Sequence, residues 1–229
     1  MTFQRARTDE QRSQRRRQIL DTAAALLTEM PVAKLSLNEL SRRVGLAKAN
    51  VLRYFESREA VLLDLLDTEI QSWLAELQQV PAFDGSTARE RADLLADLLA
   101  TSMARRPVLC DLFSAQGTVL EHNISTDLAV RHKHAARRSL GSLVELTRRH
   151  VPELGADGAA ALVESTLLMA MSAWPCSRPS DAMLAAYASD PELAAMRLDF
   201  TDVVRRTTAI TASGLLARRG ERSDTGPAS

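Results

Sequence analysis

Lys48, Asn50, Arg53 and Tyr54 lie within residues 48–54, with small alanines at 47 and 49. A lysine ammonium donates to guanine O6 and N7 or to phosphate, and an asparagine amide pairs with an adenine edge. Guanidinium and phenol groups suit phosphate oxygens, which fix register without carrying sequence information. Ala47 and Ala49 would let a backbone approach a groove floor closely. Arg58 adds a further phosphate donor, and Ser36 offers a hydroxyl and free amides at a helix start. These residues together suggest recognition of duplex nucleic acid. The contact candidates are Ser36, Ala47, Lys48, Ala49, Asn50, Arg53, Tyr54 and Arg58; the bland alternative is a solvated helix face with ordinary charges.

The elements that must hold them can be read from the flanking residues. Ser36 and Glu39 have the spacing of a capping box. Leu37, Leu40 and Val44 then share one helical face, and Gly45 follows where a left-handed residue ends a helix. Leu46 plugs the turn. A second helix over about Ala47–Tyr54 would bury Val51 and Phe55, which are i, i+4 partners. Ser57 caps a third helix, with Glu59 in its first turn, where negative charge suits the dipole. Two helices and a tight glycine turn form a helix-turn-helix, whose second helix enters the major groove.

The run VGLAKANVLRYFESREAVLLDLL resembles the signature of the TetR family of bacterial transcriptional regulators. Members read glycine, aliphatic, Ser/Thr, Lys, small, Thr/Asn, aliphatic, aromatic, His/Arg, Tyr, Phe, any residue, Ser, Lys/Arg, Glu. Those positions are Gly45 through Glu59 here, and the similarity covers roughly residues 12–66. Two positions depart from the pattern. Leu52 replaces an aromatic that touches the DNA backbone in many members, and Ala47 replaces a Ser/Thr hydroxyl. The resemblance implies a homodimeric repressor with a helical C-terminal region that binds a small-molecule effector and releases a palindromic operator. The departures motivate the alternative of a helical small-molecule-binding protein whose head no longer reads DNA.

Composition sets the frame. Of 229 residues 45% are hydrophobic, with only 9 Gly and 8 Pro, which favours long helices over a turn-rich β fold. The predicted class is all-α: a three-helix DNA-binding head joined to a helical bundle. Net charge is zero, yet residues 1–60 carry 12 Lys and Arg against 7 Asp and Glu, and the remainder 17 against 22. A basic lobe on an acidic body focuses positive potential at the head. The predicted organisation is a flexible basic arm over 1–11, a head over 12–60, a ligand-binding and dimerisation domain over 61–218 and a disordered tail over 219–229. Among the N-terminal arginines, Arg12, Arg15, Arg16 and Arg17 are candidates for phosphate or minor-groove contact. Arg5 and Arg7 read better as a solvated terminus.

Beyond the head the chain reads as successive helices. Breaks fall at Pro81–Gly85, near Gly117, at Pro152–Gly155 and at Pro175–Pro179, and Asp190-Pro191 opens a last helix to about Arg218. Residues 158–174 are apolar nearly all round, so that helix must be covered on most sides. It and the last helix are the predicted dimer helices, with Leu167, Met171, Phe200 and Val204 at the interface. A two-fold axis would set two recognition helices about 34–36 Å apart. Met103, Phe113, His122, Met169 and Trp174 are candidate liners of a pocket for an apolar or amphipathic effector; plain core is the competing reading for each.

No G-x-S-x-G, G-x-x-x-x-G-K-[ST] or G-x-G-x-x-G occurs, so an enzyme lacks a nucleophile or phosphate loop. His132 and His134 are two apart and face different sides of a helix, unlike an i, i+4 metal pair. Solvated or capping roles account for all four histidines. No metal or cofactor is implied. Cys110 and Cys176 are isolated, which suits a reduced cytoplasmic setting; a regulatory disulfide between them is a secondary reading. Thr166–Pro175 is the most apolar run and is short for a bilayer span, so no membrane partner is expected.

Overall fold

The computed structural model describes residues 2–84 and 87–224. These are 82% helical, with no strand among the described residues. The helices are α1 (Thr2–Glu29), α2 (Leu37–Val44), α3 (Lys48–Val51), α4 (Arg58–Gln78), α5 (Ala88–Ala104), α6 (Pro107–Ala115), α7 (Thr126–His150), α8 (Gly155–Cys176), α9 (Asp181–Ser189), α10 (Pro191–Ala194) and α11 (Phe200–Asp224). One compact unit holds the chain up to Gln71 together with Pro107–Ala136. The other holds Ser72–Arg106 and the chain from Arg137 onward. The first unit thus takes in α6 and the start of α7, which the division at residue 60 does not anticipate.

In the first unit, α1, α2 and α4 bury Ile19, Ala23, Leu26, Leu40, Leu62 and Leu66, and α3 adds Val51. Asp111 on α6 accepts a hydrogen bond from the Val32 amide at 2.9 Å. Glu56 accepts from both the amide and the hydroxyl of Ser125, at 2.6 and 2.8 Å, just before α7 begins. Those bonds hold the Glu56 carboxyl below its usual range. α1 begins at Thr2, so the segment expected as a flexible arm is helical. It contains no Gly or Pro to stop a helix that is anchored further on by Ile19, Ala23 and Leu26. The side chains of Arg5 and Arg7 lie outside the described set.

In the second unit α11 packs on both α5 and α8. Trp174 meets Phe200 edge to face at 5.1 Å, and the Thr166 and Thr208 hydroxyls are 3.2 Å apart. Arg219 donates to the Leu154 carbonyl at 2.8 Å. The partner moves up α11 as the residue moves down α8, so the two helices are antiparallel. With the turn before it, α8 is long and apolar enough to cross a membrane by length and composition, contrary to the reading of Thr166–Pro175 alone. Leu162, Val163, Thr166, Ala170, Ala173 and Trp174 form its buried side, while 33% of its apolar stretch is buried in all. α8 also starts earlier than Asp157 and runs through Pro175. Pro175 has no amide to donate to the Met171 carbonyl, and the helix ends one residue later, at Cys176.

Three further boundaries differ from expectation. The last helix divides into α10 and α11, because Asp199 accepts from the Asp202 amide at 2.8 Å and caps a new start. α11 continues to Asp224; of the tail expected over 219–229, residues 225–229 lie outside the described residues. Two histidines expected in solvated or capping roles are buried, while His122 and His134 are exposed. His132 places Nδ1 3.2 Å from Asp67. His150 is fully buried and stacks at 4.2 Å on Phe83, with no hydrogen-bond partner for either ring nitrogen.

Burial, and secondarily the neighbouring Arg149, pushes the His150 pKa down. As pH falls below about 6.5 the unfolded chain binds a proton that the folded ring refuses. Stability therefore falls on that side and levels off once pH is below the folded value. His150→Phe keeps the stack on Phe83 and removes the titration. Its melting temperature should drop less between pH 7.5 and pH 5 than that of the parent chain; equal drops would exclude His150 as the source.

Candidate nucleic-acid interface

The turn between α2 and α3 follows from local bonding. Ser36 accepts from the Glu39 amide at 3.1 Å and caps α2. The Glu39 carboxylate does not reach back to complete the box; it binds Arg42 at 2.5 Å, a bond that lowers its pKa. Gly45 takes φ 74° and ψ 30°, and the Leu46 amide donates to the Ser41 carbonyl at 3.0 Å. Open space surrounds the missing Cβ, so glycine is favoured by backbone conformation rather than by crowding. Leu46 is half-buried in the turn.

Ala47 then serves as the N-cap of α3, with extended backbone and no side-chain cap bond. The regular helix covers only Lys48–Val51 and loosens into turns through Tyr54, shorter than the Ala47–Tyr54 helix expected. Val51 and Phe55 are buried and fix which side faces out. Ala47, Lys48, Ala49, Asn50 and Arg53 are all exposed, and Tyr54 is half-buried. Among the described residues, the side chains of Lys48, Asn50 and Arg53 make no hydrogen bond or ion pair. The arginines of α2 differ: Arg42 is held by Glu39 and Arg43 by Glu29 at 2.7 Å. Between the two helices, the uncommitted donors therefore lie on α3 and the turn after it rather than on α2.

A groove of about 1030 Å³ runs beside it, lined by Arg12, Arg15, Arg17 and Gln18 of α1 with Arg53 and Tyr54. Arg16 is set apart from those arginines. Its guanidinium lies 4.2 Å over the Phe55 ring and donates to the Tyr54 carbonyl and to Asp64. This residue braces the end of the recognition segment against α1 and α4 and is not free for phosphate. Nothing in its local sequence separates it from Arg15 or Arg17 except that its i+3 position, Ile19, is buried. Arg58 is also committed to the fold: it pairs with Glu59 and donates to the Leu35 carbonyl at 3.0 Å. Ser36 remains exposed, and Leu52, the first departure from the family pattern, is 41% exposed beside Arg53.

The candidate effector residues fall in both compact units. Phe113 and His122 belong to the first unit, and Met103, Met169 and Trp174 to the second. Met103, Phe113 and Trp174 are buried, Met169 is half-buried and His122 is exposed. Trp174 lines a cleft of about 580 Å³ with Arg178, Arg197 and Phe200. Of the expected dimer residues, Leu167 and Met171 are half-buried. Phe200 and Val204 are buried within the single chain, so they have no surface left for a partner. Leu168 and Ile210 face outward instead, 57% and 66% exposed. Among the described residues no cluster of His, Cys, Asp or Glu could hold a metal ion. Cys110 is buried and Cys176 exposed, and the two are not joined in a disulfide.

Comparison with known proteins places this geometry. Residues 19–65 match the profile described as bacterial regulatory proteins, tetR family. Residues 67–219 match the tetracyclin repressor-like C-terminal domain. The chain is 38% identical over 72 residues to the HTH-type transcriptional regulator EthR of Mycobacterium tuberculosis, a match spanning 31% of this chain and 33% of that protein. It thus spans about a third of the length of the curated relatives it matches. A TetR transcriptional regulator from Rhodococcus sp. RHA1 superposes with a TM-score of 0.59 at 15% identity, covering 89% of this chain and 96% of that one. FadR from Bacillus subtilis, solved in complex with stearoyl-CoA, gives a TM-score of 0.50 at 14% identity, covering 86% and 97%.

Proposed function

Because the chain belongs to the tetR family of bacterial regulatory proteins, we propose that this DNA-binding transcriptional regulator is a homodimeric repressor released from a palindromic operator by a small-molecule effector. The observation that carries the reading is the exposed, unpaired set Lys48, Asn50 and Arg53 beyond the Gly45 turn. Lys48 and Asn50 read base edges. Arg53, Tyr54, Ser36 and the groove arginines of α1 hold phosphates, and Ala47 and Ala49 keep the approach close. Arg16 and Arg58 position this surface from behind.

Two heads must be held at a fixed separation to read one face of DNA. The outward face of α8 and α11, with Leu167, Leu168, Met171 and Ile210, supplies the two-fold contact, and the protein works in the cytoplasm. The effector binds in the C-terminal region and is apolar or amphipathic, a character shared by the stearoyl-CoA bound to the Bacillus subtilis neighbour. To release DNA it need favour the non-binding conformation by only a few kcal/mol. The test is a gel shift on the DNA upstream of the protein's own gene across a range of salt. A retarded complex whose affinity falls with salt is expected, together with release by those compounds that raise the melting temperature. Failure to retard upstream DNA at low salt would favour a helical ligand-binding protein with a silent head.

A further inference from the structure

Trp174 forms part of the wall of the 580 Å³ cleft enclosed by the ends of α5 and α8, the chain after α10 and the start of α11. The residue is 6% exposed, yet its indole N–H meets no acceptor among the described residues. Buried donors are nearly always paired in folded proteins, so an orphan calls for an explanation. The fold uses the ring in other ways. Phe200 meets it edge to face at 5.1 Å, and the Arg178 guanidinium lies 4.7 Å above it. A guanidinium stacked on a ring keeps its in-plane N–H groups available, and their fork matches a carboxylate.

The charges around the cleft favour an anion. Arg178 and Arg197 both line it and are exposed, and neither has an ion pair among the described residues. Asp199 is the carboxylate on the lining, and it already accepts from the Asp202 amide at 2.8 Å. Charges next to the lining are matched: Arg105 binds Glu76 at 2.7 Å and Asp202 binds Arg205 at 2.9 Å. Asp181, Asp190 and Glu192 of α9 and α10 do not line the cleft. Its apolar side is supplied by Trp174, Leu198, Phe200 and Ala104. The volume lies within the roughly 300–1,000 Å³ usual for small-molecule sites. A cation would be repelled here, and a hydrocarbon would leave both guanidiniums and the indole unanswered.

We propose that this cleft binds a small amphipathic carboxylate. Arg178 and Arg197 hold its anionic end, the Trp174 indole donates to it, and its apolar body lies against Phe200 and Leu198. This rests on the effector reading above and gives the effector a charged end and a place, but binding is measured without DNA. The experiment is isothermal titration calorimetry of the full chain with octanoate, decanoate and 2-naphthoate, each beside its matched alcohol. At least one carboxylate should bind about 10-fold or more tightly than its alcohol, which is roughly 1.4 kcal/mol. Arg178→Gln/Arg197→Gln should erase that preference. Both side chains are exposed, so helicity and melting, followed by circular dichroism, should persist. Trp174→Phe keeps an aromatic face and removes the donor. It should cost the carboxylate about 3-fold more affinity than the alcohol, the alcohol controlling for the lost ring volume. Carboxylates that bind no tighter than their alcohols, or whose advantage survives the double arginine change, overturn the site. Equal losses for acid and alcohol in Trp174→Phe overturn the part given to the indole. A parent chain that fails to retard its upstream DNA overturns the repressor reading instead and leaves the calorimetric result standing.

Discussion

Removing the Lys48 ammonium and the Asn50 amide together is expected to weaken operator binding by roughly 30- to 25,000-fold, from about 1–3 kcal/mol per base-edge contact. The fold should be indifferent. Both side chains are exposed on α3 and make no hydrogen bond or ion pair among the described residues, and such surface changes stay within about 0.5 kcal/mol. The loss should be greatest on the preferred sequence and smallest on random DNA, because what disappears is base discrimination. Arg53→Ala gives the contrast. It should lower affinity on every sequence and reduce the salt slope by about one. Gel shifts on matched and scrambled duplexes separate the two patterns. A Lys48→Ala/Asn50→Ala chain that binds the operator like its parent would remove α3 from the groove.

Arg16→Met should destabilise the head, because Arg16 is turned in toward Phe55 and Asp64. The change removes the guanidinium from the Tyr54 carbonyl, uncovers Phe55 and leaves Asp64 only the weaker pull of Arg131. Breaking a charge-assisted bond and a cation–π contact at a partly buried site amounts to about 2–3 kcal/mol after allowing for solvent. Lysine should rescue little, since an ammonium cannot fork to both oxygens while lying flat on a ring. Burial already raises the Asp64 pKa, with Arg16 opposing that rise. Without Arg16 the carboxyl shifts further up and takes a proton on folding. The variant should therefore regain stability as pH falls toward 5 and lose it as pH rises through the folded pKa. Denaturant melts at pH 5 and pH 7.5 read this directly. Operator affinity should fall with stability, because the end of the recognition segment loses its brace; a variant that melts and binds like the parent would show the brace to be idle.

The two changes act at opposite ends of one arrangement. Val51 and Phe55 lock α3 from within, and Arg16 ties the segment after them to α1 and α4. The exposed donors gain from being held still, since they then lose little conformational freedom on binding. Glu56 serves a related purpose by fastening the exit from that segment to Ser125.

The head was legible because its signals are local. Gly45 ends α2 through bonds to Ser41 and Arg42, and Ser36 and Ser57 cap through an amide three residues on. Val51 and Phe55 set the inward side by spacing alone. The errors have definite causes. The basic residues of 1–11 suggest a flexible arm, but charge indicates solvation, and no helix breaker stands there. Asp199 and Asp202 carried the signal for a separate start to α11, masked by the stronger Asp190-Pro191 cap. The roles of Arg16 and Arg58 were hidden, since their partners Asp64 and Leu35 lie far along the chain.

Hydrogen bonds within a turn and the period of apolar residues are settled over a few positions. The amino-acid order therefore determined by itself the all-helical class, the helix-turn-helix and the side of α3 that faces out. Only tertiary packing decided which of the clustered arginines is a brace, which histidines are buried, and that Phe200 and Val204 turn inward while Leu168 and Ile210 turn out. A helix apolar on nearly every side has no inherent phase, and a guanidinium is free or engaged according to carboxylates and carbonyls that only the folded chain brings to it.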